Sequence, residues 1–532
     1  MLAKSKFRAH FDLNRHSTSW GWILVALLVV FAVAPLTYPG FFQAHSGFLP
    51  AFNVAHPSDA PNWGRVADPL RGDGKLPYLL AWPFWQLSGS GVVALKWAYA
   101  LAFLLAALGT YGWTRRWLGA KGGVLAAVVY TYLPWHLSAV YVRGAYAEAW
   151  LWALLPITLW ATDHLAQRQF LAAGAVGLPS LAAATWTQPG LVALYFPLLA
   201  AYSVAITHKG QKLILWLVGT LACLLLILWL FAGQVPSEAS RPFADHFLHP
   251  FQLFSASWGF GTSVPGWDDG MSFQLGLAAV GLSMVALALF LPIQSELKRA
   301  LLFWAGVLLV LVLLTLPPSA FLWRATNLKI FLSYPWQLLT LAGLPLAFLA
   351  GSAVRLDERL AELPAWAGLL ALVILSSYAY LAPRFTQVDP GSEPVAMFQP
   401  VGADAPQIAI LDYEIVSPSE ITPTLTLTLT WQTVEPLADD YTIFVHLLAP
   451  DGSKVAQRDT RPCDGECLTN TWQPGEIIVD RYQLSLAPDA VADLLHAPSG
   501  RYRLAVGLYL LDSGERAAVV GRDDEVMFFD AP

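Results

Sequence analysis

Charged residues are scarce in this sequence. Asp, Glu, Lys and Arg make up 13% of its 532 residues, whereas 56% are apolar. A soluble globular protein has about twice that share of charge, because charge covers its surface. A surface that faces lipid needs no such cover, so the deficit favours a membrane protein. The net charge of −6 says little, but the lack of a basic tract argues against nucleic acid as a partner.

Cysteine is rare as well. Cys223 lies in an apolar run, while Cys463 and Cys467 bracket a Cys-Asp-Gly-Glu-Cys segment. A local disulfide is the favoured interpretation if this segment lies outside the cytoplasm, where oxidation is permitted. Free thiols are the main alternative, since a zinc site would need two further ligands nearby.

Several motifs of soluble enzymes and pumps are missing. The sequence has no Walker-type loop, no Rossmann fingerprint and no Ser-centred nucleophile elbow. ATP-driven transport and nucleotide cofactors therefore have no support. No repeat period or coiled-coil heptad is evident either.

Long apolar runs dominate what is present. A membrane span needs about 20 mainly apolar residues. Eleven segments fit, at about 19–38, 91–113, 122–141, 146–163, 170–187, 189–207, 213–232, 273–292, 300–317, 334–353 and 364–383. The first is too long for a signal peptide and has no small-residue cleavage site, so we expect it to remain as a span. Pro189 and Gly190 divide the fifth from the sixth, although a kink in one long helix is the alternative.

The loop charges predict an orientation. Short cytoplasmic loops collect Lys and Arg. Every second loop carries these charges, in phase with eleven spans: Lys4, Lys6, Arg8, Arg15, Arg115, Arg116, Lys121, Arg168, Lys209, Lys212, Lys298, Arg299, Arg355 and Arg359. The N-terminus is therefore expected in the cytoplasm of a bacterial cell, and everything after about residue 384 outside the inner membrane.

Two of the loops on the external side are long, at about 39–90 and 233–272, and a third at 318–333 is short and amphipathic. Long structured loops usually carry function, so the working face is expected to be external.

The character of the chain changes after Pro383. Residues 424–431 alternate Thr with larger apolar residues, as a half-buried strand does. Further extended runs at 441–448, after 453 and at 501–511 are separated by turn signals. We therefore predict a membrane domain over 1–384 and an all-β sandwich over 385–532.

A family resemblance follows from this order of parts and from six local stretches. The stretches are Phe41-Phe42-Gln43-Ala44-His45, Tyr132-Leu133-Pro134 with Arg143-Gly144-Ala145-Tyr146-Ala147-Glu148, Tyr334-Pro335-Trp336-Gln337-Leu338-Leu339, Phe444-Val445-His446-Leu447 and Trp472-Gln473-Pro474-Gly475-Glu476. Over most of its length the chain resembles the GT-C superfamily of integral-membrane glycosyltransferases. It is similar in particular to a bacterial branch labelled as membrane proteins related to 6-pyruvoyl-tetrahydropterin synthase, a label that we do not take as an activity.

The resemblance implies that a sugar moves from a polyprenyl-phosphate carrier to an external glycan, lipid or protein acceptor. The carrier lies in the bilayer with its phosphate at the interface, so its site needs cations above a lipid-accessible groove. A base must take the proton of the acceptor hydroxyl.

In this family the base is normally an acid in the first external loop. In this chain the start of that loop has the sequence His45-Ser46-Gly47-Phe48, without an acid beside the histidine. The candidates are therefore His45, which titrates near neutral pH, and Asp59, Asp68 and Asp73 further along the loop. A turn role is the structural alternative for the aspartates.

Arg143 and Glu148 are candidates for substrate or lipid-phosphate binding at the external ends of the third and fourth spans. Five residues apart they share no helix face, so a direct ion pair would need a turn at Gly144. A structural helix-end contact is the alternative. Other external cations, which snorkelling to headgroups would also explain, are Arg241, Arg324 and Lys329.

No cofactor is required by the sequence, but a divalent cation could be held by Asp268 and Asp269, since adjacent carboxylates supply oxygen ligands. Helix or turn capping is the favoured alternative for this pair. A looser group of potential metal ligands is formed by Asp245, His246 and His249. The aromatic residues Tyr334, Trp336, Trp323 and Trp258 suit an interfacial aromatic belt.

Two other classes of function compete with the enzyme. A non-catalytic glycan-binding or assembly protein would keep the architecture without the base. A lipid-linked glycan transporter or polymerase would carry charge in the middle of its spans, and the spans here carry almost none.

Overall fold

The computed structural model describes residues 19–55, 74, 76–206, 243–255, 263–267, 269, 271–290, 296–385, 394–403, 406–419, 422–498, 500–522 and 525–531. These residues divide into two compact units. The helical unit comprises the described residues of Met1–Tyr38, Ala67–Pro77 and Lys96–Pro383, and the β unit those of Pro39–Val66, Tyr78–Leu95 and Arg384–Pro532. The described residues after Pro383 fall in the β unit, which also takes in parts of the first long loop.

The described α-helices are listed here in chain order: α1 (Ser19–Val33), α2 (Leu49–Ala55), α3 (Leu76–Ser88), α4 (Gly91–Tyr132), α5 (Pro134–Tyr141), α6 (Tyr146–Ala166), α7 (Phe170–Thr187), α8 (Pro189–Ile206), α9 (Leu277–Leu289), α10 (Glu296–Thr315), α11 (Ala320–Ala325), α12 (Leu339–Leu356), α13 (Leu363–Ser376) and α14 (Pro488–His496). Short 3₁₀ turns lie at Ala34–Thr37, Phe243–Asp245, Pro317–Ser319, Leu328–Ile330, Pro335–Leu338, Glu358–Ala361, Tyr378–Leu381, Pro462–Gly465 and Thr469–Thr471.

Among the described residues, six helical segments are long and apolar enough to cross a membrane, which indicates a membrane protein. They are Ser19–Thr37, Gly91–Tyr132, Phe170–Thr187, Pro189–Ile206, Glu296–Thr315 and Pro335–Leu356. Helix α6 is long enough but carries Glu148 and Asp163, while α9 and α13 have only 13 and 14 residues. The predicted span at 213–232 lies outside the described residues, so the count of eleven stays a prediction.

Two predicted helix breaks are present. Gly119, at φ 73°, interrupts α4 and separates the second predicted span from the third. Gln188, at φ −152° and ψ 89°, ends α7, and α8 begins at Pro189. The fifth and sixth predicted spans are therefore two helices and not one kinked helix.

The helical unit has a buried centre and an apolar exterior. Every residue of α12 from Leu339 to Val354 is buried. At its crossing with α4, a Cβ on Gly351 would lie 2.6 Å from the carbonyl oxygen of Gly122, so only small residues permit the approach. Outer helices instead expose large apolar side chains, including Leu27 at 59% and Leu309 at 59%. Lipid covers such a surface at no cost, whereas water does not.

The β unit contains two antiparallel sheets. Their strands are β1 (Ala396–Gln399), β2 (Ile408–Val416), β3 (Thr424–Thr433), β4 (Tyr441–Leu448), β5 (Lys454–Thr460), β6 (Ile477–Ser485), β7 (Arg503–Leu510), β8 (Ala518–Val519) and β9 (Met527–Asp530). The sheet orders are β6-β3-β2-β1-β8 and β5-β4-β7-β9. Both sheets contribute to one apolar core, as in a sandwich. The residues predicted as a strand lie in β3, where Leu425, Leu427 and Leu429 are fully buried. Thr426 and Thr430 on the other face are also buried, so β3 is buried more completely than the predicted half-buried strand.

One segment of the first long loop packs against the β strands within the same unit. Gln432 of β3 is fully buried, and its Oε1 accepts the backbone N–H of Phe48 at 3.1 Å while its Nε2 donates to the carbonyl of Gly475 at 3.1 Å. A Cβ on Gly475 would lie 2.3 Å from the carbonyl oxygen of Ala44. Two of the stretches that carry the family resemblance, 41–45 and 472–476, are thus neighbours in space.

A disulfide joins Cys463 and Cys467, whose Cα atoms are 5.4 Å apart. The backbone N–H of Cys463 donates to Asp480 of β6 at 3.0 Å, which anchors the segment to the sheet.

Candidate functional site

A tight turn brings Arg143 to Glu148. Helix α5 ends at Tyr141, Gly144 takes φ 62°, and α6 begins at Tyr146. This left-handed conformation favours glycine, and it reverses the chain between the two side chains. Arg143 Nη2 then lies 2.5 Å from Glu148 Oε2, with the side chains only 11% and 2% exposed.

The other carboxylate oxygen of Glu148 is bound from α12. The hydroxyl of Thr340 donates to Glu148 Oε1. Thr340 Oγ1 in turn accepts the indole N–H of Trp135 at 3.1 Å. Both oxygens of Glu148 are therefore occupied, and the carboxylate fixes the direction in which the guanidinium of Arg143 lies.

Two indoles, whose ring centroids lie 5.6 Å apart, pack against that guanidinium. Arg143 Cζ lies 4.9 Å from the ring centroid of Trp135 and 4.9 Å from that of Trp336. Cation–π contacts of this kind are strongest where water is excluded. Glu148 engages Nη2, whereas Nη1 is buried and meets no hydrogen-bond acceptor among the described residues. An orphaned buried charged donor is costly, so its presence calls for an explanation.

Trp336 links this cluster to a second one around Ser263. Its indole N–H donates to Ser263 Oγ at 3.1 Å. Ser263 Oγ donates to Asp269 Oδ2 at 2.7 Å and lies 2.9 Å from Nδ1 of His246. Aromatic contacts run in parallel, because Tyr334 stacks on Trp336 with centroids 4.9 Å apart and meets the His246 ring at 4.7 Å.

Asp269 is held by donors. Besides Ser263, it accepts the backbone N–H groups of Val264 at 3.2 Å and Met271 at 3.0 Å. Burial raises the pKa of its carboxyl, and these three donors oppose the rise. The contacts match the capping interpretation of this residue. Among the described residues, no group of three or more His, Cys, Asp or Glu side chains is placed to hold a metal ion.

The remaining predicted site residues are spread over the chain. His45 is half-buried in a turn of the β unit. Arg324 and Lys329 are exposed in the helical unit, as are Asp245 and the apolar side chain of Phe321. The described residues do not include Asp59, Asp68, Asp73, Arg241 or Asp268.

Sequence reasoning missed four members of the cluster, namely Trp135, Ser263, Trp336 and Thr340. The aromatic-belt interpretation is wrong for Trp336 and Trp323, which are 6% and 0% exposed and so are buried in the protein. The sequence held one signal for this cluster. Two of the stretches that carry the family resemblance, Arg143 to Glu148 and Tyr334 to Leu339, both contribute residues to it.

In a comparison with known proteins, no protein-family model matches the chain, and no curated protein matches it.

Proposed function

We propose that this chain is a membrane glycosyltransferase that moves a sugar from a polyprenyl-phosphate carrier to an extracytoplasmic acceptor. In this proposal the helical unit has the GT-C-like arrangement of about eleven spans in the bacterial cytoplasmic membrane. The N-terminus is cytoplasmic and the β sandwich lies outside. The acceptor is a glycan, a lipid or a protein.

The observation that carries the proposal is the orphaned Nη1 of Arg143. Glu148 and the two indoles hold the guanidinium in one orientation, and its buried Nη1 meets no acceptor among the described residues. A phosphate oxygen is the acceptor that suits such a donor, since arginine–phosphate hydrogen bonds are short and about twice as strong as neutral ones. Pre-organisation matters as well, because little side-chain freedom is lost when the ligand arrives.

The lipid surroundings favour a lipid-linked phosphate over a soluble one. Outer helices of the same unit expose apolar side chains that suit acyl or prenyl chains. A polyprenyl-phosphate donor combines both chemistries, with an apolar tail in the bilayer and one anionic group at its edge. The phosphate is also the leaving group of glycosyl transfer, so a cation bound to it stabilises the charge that develops.

The test is transfer of a labelled sugar in proteoliposomes. Purified protein is supplied with a polyprenyl-phosphate donor carrying a radiolabelled hexose and with membrane fractions as acceptor. We expect label in the acceptor fraction with the wild type. The double variant Arg143→Ala/Glu148→Gln removes the cation without leaving a buried carboxylate unpaired. It should transfer at least about tenfold less sugar, because the loss of a contact of about 1.4 kcal/mol corresponds to a factor of ten.

Two outcomes would redirect the proposal. Binding of the donor without transfer to any fraction would favour the non-catalytic glycan-binding protein. Transfer that the double variant leaves unchanged would keep the enzyme but move its phosphate site to Arg241, Arg324 or Lys329.

A further inference from the structure

Helix α10 has charged side chains at one end and the short helix α11 at the other. Its 20 residues extend over about 30 Å, which matches the hydrocarbon core of a bilayer. Glu296 and Arg299 are exposed at its beginning, and α11 follows its last residue, Thr315, after one 3₁₀ turn. In a bilayer that α10 crosses, α11 therefore lies at the level of the phosphate groups.

A buried tryptophan fixes the orientation of α11. Trp323 is fully buried, and its indole N–H donates to the carbonyl of Leu314 at 2.8 Å. Phe243 and Phe247 of the second long loop pack against the same ring, with centroids 5.9 Å and 6.0 Å away. Because Trp323 points inward, the opposite side of α11 points away from the protein.

That outward side combines apolar and basic side chains. Phe321 and Leu322 are 66% and 38% exposed, and Arg324 and Lys329 are exposed as well. Arg324 follows Phe321 by three positions and so shares its helix face, while Lys329 lies in the 3₁₀ turn that comes next. Neither cation forms an ion pair or a side-chain hydrogen bond within the described ranges. We call these four side chains the α11 surface.

A bilayer edge supplies both kinds of contact that the α11 surface needs. Lipid phosphates are anionic, and the acyl chains just below them are apolar. The α11 surface also continues the apolar exterior of α10, where Leu309 and Leu313 are 59% and 48% exposed. An acidic soluble protein would match the cations, but it would not match a position at the end of a helix that crosses a membrane.

The second long loop connects the α11 surface to the candidate site. Phe243 of this loop packs on Trp323, and Ser263 of the same loop accepts the indole N–H of Trp336 at 3.1 Å. Trp336 in turn packs against Arg143. The depth of α11 in the bilayer is therefore tied to the depth of the Arg143 guanidinium.

We propose that the α11 surface is a membrane anchor that binds the anionic phospholipid headgroups around the protein. Phe321 and Leu322 enter the edge of the hydrocarbon, and Arg324 and Lys329 contact lipid phosphates. The anchor holds the Arg143 cluster at the level of the headgroups. It requires no sugar transfer, so it stands or falls independently of the proposed function.

The first test measures the depth of α11 in proteoliposomes. Ala325 is exposed on the outward side of α11, so Ala325→Cys in a Cys223→Ser background carries a nitrobenzoxadiazole label. Leu309→Cys in α10 and Leu511→Cys in the β unit, at positions 59% and 60% exposed, are the matched controls for lipid and for water. Lipids with a nitroxide near the headgroup should quench the labels at 325 and 309, whereas aqueous iodide should quench the label at 511 most.

The second test asks whether the cations select anionic lipid. Nitroxide-bearing phosphatidylglycerol and phosphatidylcholine are compared at equal mole fractions. Phosphatidylglycerol should be preferred at Ala325 by at least about fivefold, the contribution of one cation at an anionic surface, and less so in high salt. Arg324→Gln/Lys329→Gln should abolish the preference without changing the depth. Arg501→Gln/Arg522→Gln, which replaces two exposed arginines of the β unit, should retain it.

Three results would overturn the anchor. Iodide quenching as strong at 325 as at 511 would show that α11 faces water, as a surface for a protein partner does. Equal quenching by the two lipids in the wild type would show that the cations select no headgroup. Displacement of phosphatidylglycerol by one equivalent of polyprenyl phosphate would make the two cations a donor site instead. None of these measurements involves sugar transfer, so a failure here leaves the proposed function to its own test.

Discussion

Two arginine–carboxylate pairs in the helical unit, each with a buried carboxylate, differ in how completely the arginine is paired. Asp163, at the end of α6, is 1% exposed and accepts hydrogen bonds from Tyr202 at 2.8 Å and from Trp117 at 3.2 Å. Arg116 adds an ion pair at 3.4 Å, and its side chain is 36% exposed. At the other end of the same helix, Glu148 is equally well bound, but the buried Nη1 of its arginine meets no acceptor among the described residues.

The difference separates a structural contact from the proposed binding site. The Asp163 cluster connects α4, α6 and α8, and its arginine, Arg116, is partly exposed to solvent. In the Arg143 cluster, two indoles hold the guanidinium in place, although its Nη1 bonds no acceptor among the described residues. By the predicted topology the first lies on the cytoplasmic side and the second on the external side, where the donor phosphate is expected.

Removing Arg143 alone should have the largest effect on stability. Arg143→Ala leaves Glu148 buried without its cation, which costs about 3–5 kcal/mol in free energy of unfolding. Adding Glu148→Gln should recover most of that loss, because the amide still accepts from Thr340. Chemical denaturation in mixed micelles measures both variants. An Arg143→Ala variant as stable as the wild type would mean that the ion pair is not buried as described.

Removing Asp163 should cost somewhat less and leave the donor site alone. Asp163→Ala deprives Tyr202 and Trp117 of an acceptor, at about 1–3 kcal/mol for a buried polar group. Asp163→Asn keeps an acceptor oxygen and should lie between the alanine variant and the wild type. Weaker binding of a polyprenyl-phosphate analogue by Asp163→Asn would break the distinction between the two clusters.

Gln432 extends the comparison to a fully satisfied neutral group in the β unit. Gln432→Ala would leave the Phe48 N–H and the Gly475 carbonyl unpaired, at a cost of about 1–3 kcal/mol. Hydrogen exchange at residues 47–49 should accelerate, since that segment loses its anchor. Unchanged exchange there would show that the amide does not hold the loop segment.

The smallest effect is expected at Gly402, whose backbone resembles that of Gly475. Gly475 and Gly402 have φ angles of 75° and 73°, but a Cβ meets the Ala44 carbonyl at 2.3 Å in the first and open space in the second. Both alanine variants carry the conformational strain of about 1 kcal/mol. Only Gly475→Ala should also loosen residues 43–48. Equal free energies of unfolding in the two alanine variants would contradict the close approach of Gly475 to the Ala44 carbonyl.

Local patterns predicted the local structure of this chain well. Three features follow from neighbouring residues. They are the alternation of Thr and Leu along β3, the break at Pro189, and the turn at Gly144 that a direct Arg143–Glu148 pair requires. Each depends on backbone preferences or burial over a few positions. The sequence supplies those directly.

The composition of the candidate site could not be predicted in the same way. Thr340 reaches Glu148 across 192 positions of sequence, and Trp336 reaches Ser263 across 73. Such pairs depend on how the helices pack, which no local period encodes. An aromatic residue at a helix end also suits a lipid interface, so hydropathy alone misplaced Trp336.

Equilibrium binding of a polyprenyl-phosphate analogue tests the central claim most directly. It compares the wild type with Arg143→Ala/Glu148→Gln and with Asp163→Asn in the same detergent. The account predicts saturable binding by the wild type and by Asp163→Asn, and at least about tenfold weaker binding by the double variant, as the loss of one charge-assisted contact implies. Equal affinity in all three proteins would contradict it, because the orphaned nitrogen of Arg143 would then bind no phosphate.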